Sequence, residues 1–530
     1  MTGTGTLLRF MLRRDRMRIL WWTLGIAALY AGAAGEYLSL DDPAARSARA
    51  VLVSSPAMIS MSGPGYGLDD YTPGAAVANE LILWVVLAAA VMSILQVVRH
   101  TRAEEENGSA ELVRAGTVGR HAASVAALLL VVVMNAAVAL ASGAVLAAQG
   151  LDAGQAFAMT SAIALGALVF GAVALVAAQA HEHGRGAVGL SLAVLGAAFL
   201  LRALGDVQER HGSALSWLSP IAWVQQTRVF VDLRWWPLGL CAAAGVLLLA
   251  VAARLAARRD VGAGLLAVRP GRRDARATLT GPLPLAWLQQ RASLGWTTLG
   301  LGAMWLASGT IIRQVPTMLD AIQGNPLYDA LLGTGEDMVR TFLGIFGLYI
   351  AVGAAAFGVA ATLRARSEEE AGRTEVALAA PVSRYRWLAA PLTLALVGAV
   401  VVQLTGALAL WAGAASTGYD ALDVGEYLRL GAAYLPALGV LVGFTAALHA
   451  WLPRGTGLAW ALLGYVFVVG MFADLFGLPG WARRISPFWW VGNPALGDVE
   501  AARLGGLAGV AAVLFLLAFA GFRRRDVPRV

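Results

Sequence analysis

Apolar runs of about 20 residues recur along the whole chain, each long enough to cross a ~30 Å hydrocarbon layer as a helix. Twelve such runs can be counted. They lie at about 19–37, 78–99, 121–149, 155–180, 185–203 and 235–257, then at about 292–312, 340–363, 387–416, 427–450, 455–476 and 502–522. Lipid offers no partner for a backbone N–H or C=O, so such runs must be helical. The expected fold class is an all-α polytopic membrane protein of about 12 transmembrane helices. Composition agrees: 58% of the 530 residues are hydrophobic and only 14% charged, where a soluble domain carries roughly 25% charge.

All 40 basic residues are arginine, and there is no lysine. A nucleotide-binding P-loop needs a lysine on the β/γ-phosphates. The chain is therefore expected to lack an ATPase site of its own and not to be an enzyme. The net charge of +7 does not point to nucleic acid, because the arginines flank the spans and set topology. Arg9, Arg13, Arg14, Arg16 and Arg18 precede the first run; Arg254, Arg258, Arg259, Arg269, Arg272, Arg273 and Arg276 fill the middle; Arg523, Arg524, Arg525 and Arg529 follow the last. With these inside, both termini are cytoplasmic, as an even number of spans requires. The single cysteine, Cys241, permits no intrachain disulfide. The first run is expected to be a retained span, since no small-residue cleavage site follows it.

The sequence repeats itself. Trp21-Trp22-Thr23-Leu24-Gly25 matches Trp296-Thr297-Thr298-Leu299-Gly300, Arg102 to Gly108 matches Arg366 to Gly372, and Ser219-Pro220-Ile221-Ala222-Trp223-Val224 matches Ser486-Pro487-Phe488-Trp489-Trp490-Val491. Three matches in one order indicate tandem duplication. The expected organisation is a first six-span module at 1–257 with an elbow helix at about 6–18, a cytoplasmic linker at 258–282, and a second module at 283–530. Six spans separate equivalent points, so the two repeats share one orientation.

The strongest signal for chemistry is the acidic segment after the second and eighth spans. Each copy carries an arginine four residues before a glutamate, Arg102 to Glu106 and Arg366 to Glu370, which places the pair on one helical face. Glu104 and Glu105, or Glu368 and Glu369, fill the interval. Gly108 or Gly372 then interrupts the helix, and a short helical piece holds Glu111 or Glu375. The pattern predicts a bent acidic finger, present twice, that docks a two-fold cytoplasmic partner.

This pattern, Arg-x-Glu-Glu-Glu-x-Gly-x-x-Glu followed by a turn and an arginine, resembles the segment after the second span of type-2 ATP-binding-cassette (ABC) exporter permeases. Ala380-Pro381-Val382-Ser383-Arg384 resembles the turn that follows in that family; Gly116-Thr117-Val118-Gly119-Arg120 departs from it. The arginine-rich, fused twelve-span arrangement is similar to the actinobacterial polyketide-antibiotic and multidrug exporter permeases. The resemblance implies a permease subunit in the cell membrane. It would move a hydrophobic small molecule (a drug, an antibiotic or a lipid-like compound) out of the cell. The ATP and Mg would be held by a separate ABC ATPase subunit, two copies per permease, with no cofactor on this chain. The resemblance also implies interfacial elbow helices at Leu7–Arg18 and Leu283–Arg291.

A substrate cavity is implied between the two halves, lined by the second and fifth spans of each. On these spans Asn79, Trp84, Met92, Phe199, Phe342, Phe346, Tyr349, Trp460, Phe467 and Met471 are the candidates; apolar and aromatic linings suit large hydrophobic ligands. The Trp-rich stretches around Ser219-Pro220 and Ser486-Pro487 read as interfacial or re-entrant caps of the outer end. A proton-coupled twelve-span secondary transporter is the alternative, but it would place acids or histidines in mid-membrane, where charges are almost absent here. A membrane-embedded transferase using Asp69 or Asp70 is weaker, since nothing nearby completes a site. No metal-ligand constellation is seen among the six histidines.

Overall fold

The computed structural model describes residues 2–38, 43–54, 56–259, 262–265, 273–275, 277–314, 336–472 and 478–526. Among them the regular structure is helical, with no strand. The chain divides into two compact units, Met1–Gly271 and Arg272–Val530.

The first unit contains α1 (Thr4–Leu38), α2 (Pro43–Val53), α3 (Pro56–Ser62), α4 (Pro73–His100), α5 (Arg102–Glu106), α6 (Ser109–Arg114), α7 (Ala122–Ala148), α8 (Ala153–Ala180), α9 (Gly184–Gln208), α10 (Pro220–Gln225) and α11 (Trp236–Arg258). The second contains α12 (Pro282–Gly309), α13 (Glu336–Glu370), α14 (Arg373–Ala379), α15 (Arg384–Ser416), α16 (Val424–Ala433), α17 (Leu435–Trp451), α18 (Gly457–Phe472), α19 (Gly480–Ile485) and α20 (Ala501–Arg524). Starts follow local chemistry. Thr72 accepts from Ala75 N–H at 3.2 Å with Pro73 opening α4, and Asp152 accepts from Gln155 N–H at 2.8 Å. Asp423 accepts from Glu426 N–H at 2.9 Å and Ser383 from Arg386 N–H at 3.3 Å. Each cap satisfies a donor that the first helical turn leaves open.

Nine helical stretches among the described residues are long and apolar enough to cross a membrane: α4 with α5, α7, α8, α9, α11, α13, α15, α16 with α17, and α20. The other three expected spans fall on helices too: 19–37 within α1, most of 292–312 within α12, and 457–472 of the expected 455–476 as α18, with 473–476 outside the described residues. The expected elbow at 6–18 is not a separate helix. No glycine or proline lies between Leu7 and Leu24, so α1 runs unbroken from Thr4 to Leu38. The segment 283–291 is likewise the first part of α12.

In the first unit α4 and α8 are the most enclosed helices and α11 the least. In the second unit α16 with α17 is the most enclosed of the membrane-capable stretches. Small residues let the helices approach. A Cβ on Gly309 would fall 2.1 Å from the carbonyl oxygen of Leu410, and one on Gly413 would fall 2.0 Å from that of Leu306. So α12 and α15 meet backbone against backbone.

Candidate functional site

In the first unit the acidic finger begins where α4 breaks at Thr101, whose φ of −122° and ψ of −85° are not helical. After α5, Gly108 takes φ 78°, a left-handed conformation that glycine adopts without cost. The chain then folds back through α6. All three consecutive glutamates have partners. Glu104 accepts from Arg14 of α1 at 3.0 Å and lies 3.2 Å from His100 Nδ1. Glu105 accepts from Arg259 through both carboxylate oxygens, at 2.8 and 2.8 Å, and from Arg102 at 2.7 Å. Glu106 accepts from Gly184 N–H at 2.8 Å, at the positive end of α9. Arg102 is fully buried and also donates to the carbonyls of Glu182 (2.8 Å), Gly262 (2.6 Å) and Ala263 (3.1 Å). The four-residue pairing of Arg102 with Glu106 does not form: Arg102 is taken by Glu105 and three backbone carbonyls, and Glu106 by the Gly184 N–H.

In the second unit α13 continues through Glu370, so Arg366 does bond to Glu370, at 2.7 Å. Arg366 also donates to the Thr456 hydroxyl. Glu368 accepts from Arg373 at 2.6 and 3.0 Å, which pushes the Arg373 guanidinium pKa up from its ordinary value. Glu369 accepts from Arg525 and lies 3.1 Å from His449 Nε2. Gly372 has φ 70° and opens α14.

The two fingers share three arginine anchors. Arg102 and Arg366 each reach the turn that follows the helix before the fifth span, at Glu182 and at Thr456. Arg120 and Arg384, each at the start of the following span, donate to carbonyls at the end of the unit's last helix: Ala256 at 2.8 Å, and Arg523 and Arg525 at 3.0 and 2.6 Å. These bonds satisfy acceptors that a helix C-terminus leaves open. The middle glutamate of each triplet takes the arginine that ends that same helix, Arg259 or Arg525. What faces outward is the short second piece. Glu111 and Glu375 are exposed, as are Leu112 (82%) and Val376 (75%) beside them. Each finger is thus fixed along its root and presents an acidic and apolar edge.

Arg259 and Arg525 entered the sequence argument only as topology signals. Their common position, directly after the last span of each half, was the signal that could have marked them as a pair.

The cavity candidates scatter. Met92 is fully buried within the first unit. Asn79 is buried and tied to Tyr66, accepting from its N–H at 3.1 Å and donating to its carbonyl at 2.8 Å. Phe199 lies under the Arg202 guanidinium at 5.1 Å, and Trp84 is exposed. In the second unit Phe342 and Phe346 stack edge to face at 5.6 Å, and Tyr349 lies 6.0 Å from Phe467. Trp305 of α12 joins both groups, 6.1 Å from Phe346 and 6.4 Å from Tyr349. Trp460 lines a cavity of about 390 Å³ with Gln290, Phe357 and Arg364. The side chain of Met471 lies outside the described residues. In the Trp-rich stretches Trp217 stacks on Trp236 at 5.1 Å, and Trp490 donates to the Arg484 carbonyl at 2.9 Å. No group of three or more metal-ligating side chains occurs among the described residues.

Over residues 5–255 and 279–523 the chain matches the family described as "Multidrug efflux system permease Rv1217c, C-terminal domain". It is also 38% identical, over 540 residues, to the "Multidrug efflux system permease protein Rv1217c" of Mycobacterium tuberculosis (strain ATCC 25618 / H37Rv). That comparison covers 99% of this chain and 95% of the relative. The chain belongs to the Rv1217c multidrug efflux permease family. With its nine membrane-capable stretches, this Rv1217c-family permease is a multi-pass membrane protein. Both fingers lie within the matched residues, and so do all the cavity candidates.

Proposed function

We propose that this chain is the permease subunit of an ATP-driven exporter, with twelve spans in two tandem six-helix modules and both termini in the cytoplasm. Two copies of a separate ABC ATPase, which carry the ATP and Mg, dock on the two fingers. Closure of the ATPase pair pushes on the fingers, and the permease passes a hydrophobic small molecule outward. The observation that carries this reading is the duplicated anchoring of the fingers. A finger bonded to the end of its own last helix transmits a push to the span rather than bending under it. The exposed Glu111-Leu112 and Glu375-Val376 edges supply the contact: apolar area for affinity and carboxylates for orientation.

The test is co-purification with a co-expressed candidate ABC ATPase subunit. Leu112→Asp together with Val376→Asp is expected to cut ATPase recovery by about tenfold, the effect of roughly 1.4 kcal/mol. Full recovery with normal efflux would sink the docking assignment. Export that stops when the proton gradient collapses, with ATP maintained, would favour a proton-coupled carrier.

A further inference from the structure

The two units treat one aligned position in opposite ways. Counting from the shared Ser-Pro, at Ser219 and Ser486, Phe230 falls on Gly497. Both aligned residues hold left-handed φ values, 65° at Phe230 and 78° at Gly497. In the first unit the Phe230 ring is seated on Gly74, where a Cβ would fall 2.5 Å from its Cδ1. The Phe230 N–H donates to Gln155 Oε1 at 2.9 Å. Gln155 stands three residues after the cap Asp152, as Glu426 stands three after the cap Asp423.

In the second unit there is no ring. A Cβ on Gly497 would meet nothing within 4 Å. Beside it lies a cavity of about 490 Å³, at the end of α13 opposite the acidic finger. Leu343, Leu430 and Leu504 give it apolar walls, and Arg340, Glu426 and Arg429 bring charge. Glu426 here accepts from Arg340 at 3.3 Å, where Gln155 accepts from a backbone N–H in the first unit. Arg340 also donates to the Ala495 carbonyl at 3.2 Å, and Arg429 to that of Gly425 at 3.3 Å. Among the described residues that line it are two guanidiniums and one carboxylate, an excess of positive charge. Tyr427 also lines the cavity; it is 2% exposed, and its hydroxyl has no hydrogen-bond partner among the described residues.

We propose that this cavity binds an amphiphile with an anionic head. The head, a phosphate or carboxylate, would take Arg340, Arg429 and the Tyr427 hydroxyl, and the apolar chain would lie along the leucines. The size fits, since ligand cavities run from about 300 to 1,000 Å³. The first unit cannot hold the same ligand, because Phe230 occupies the corresponding place. This site is separate from the docking edges and does not depend on how the ATPase engages them.

The experiment uses the full chain in nanodiscs of zwitterionic lipid, with dodecyl phosphate as probe and dodecyltrimethylammonium as its cationic counterpart. The wild type is expected to bind dodecyl phosphate saturably, and more tightly than the cation by about tenfold. Gly497→Phe copies the first unit and is expected to abolish that binding while lowering the melting temperature only modestly, the cost of a side chain held at φ 78°. Arg340→Gln is expected to weaken the phosphate by about tenfold and leave the cation unaffected, which keeps the test open should Gly497→Phe fold poorly. Competition by phosphatidylglycerol added to the nanodisc assigns the site to a membrane lipid; competition by soluble decanoate alone assigns it to a free solute. Absence of saturable binding, equal binding of phosphate and ammonium, or full binding by folded Gly497→Phe overturns the proposal.

Discussion

Glu105 and Arg259 form a two-armed ion pair, 154 residues apart in sequence, that ties the first finger to the end of α11. Both side chains are more than nine-tenths buried. The second unit makes the same tie between Glu369 and Arg525, 156 residues apart. Arg259→Ala would strip Glu105 of this two-armed partner in a poorly solvated place, with Arg102 still bonded to it. The expected loss is about 1–3 kcal/mol, read as a lower melting temperature. ATPase recovery should persist, because the docking edge is untouched, while drug-stimulated ATP hydrolysis falls. If hydrolysis stays fully coupled, the tie is structural only. The charge swap Glu105→Arg with Arg259→Glu should restore part of the coupling.

Gly108 holds a left-handed conformation where an added Cβ would meet nothing within 4 Å. Its substitution therefore measures the backbone alone. Gly108→Ala is expected to cost about 1 kcal/mol, and Gly108→Asn less, because asparagine visits this region more readily. Thermal melts of the two variants check the order. An equal loss for both would mean that the turn relaxes out of the left-handed region on substitution.

Gly413 is a different case, since a Cβ there would lie 2.0 Å from the Leu306 carbonyl oxygen. Backbone cannot step aside as a flexible side chain can. Gly413→Ala should force α12 and α15 apart at a cost of at least 1–3 kcal/mol, the range for overpacking. Reduced yield and a lowered melting temperature are the expected signs. Gly300→Ala, where a Cβ meets nothing within 4 Å, is the control and should melt as the wild type does.

The helices and the finger glycines were legible because their signals are local: apolar runs of span length, and a glycine after a run of helix-forming residues. Gly108 and Gly372 do take left-handed φ values. The anchors were not legible. Arg259 and Arg525 look like any arginines beside a span, and their partners lie on a different part of the chain. The pairing of Arg102 was misread for a related reason. The four-residue rule ignores partners from elsewhere in the chain, and here Glu182, Gly262 and Ala263 take Arg102 while the Gly184 N–H takes Glu106. The short helices α2 and α3 were also missed, since Pro43–Val53 is short and carries two arginines. Yet α2 supplies Arg49, which binds Glu80 at 2.9 and 2.8 Å, alongside the Tyr37 and Tyr71 hydroxyls at 3.1 Å each. The aromatic group around Trp305 was only half visible, because α12 was not among the spans assigned to the cavity.

His211, just after α9, gives a pH-dependent prediction. It stacks on Tyr66 at 5.1 Å, and the Arg228 guanidinium lies 4.8 Å from the other ring partner, Tyr66. Burial first, then the positive fields of Arg228, Arg210 and Arg234, hold the His211 pKa below the ordinary 6.5. The folded chain therefore binds fewer protons than the unfolded chain just below that value, and stability must fall as pH falls through it. Above it the histidine is neutral in both states and contributes no slope. The wild type should melt lower at about pH 5.5 than at about pH 7.5, across the range where histidine titrates. His211→Asn keeps a residue that tolerates the φ of 71° and removes the titrating ring. Its melting temperature should start below the wild type at the higher pH, because the stack is lost, and change less on acidification. An Asn variant that loses as much on acidification as the wild type would place the pH dependence on other groups.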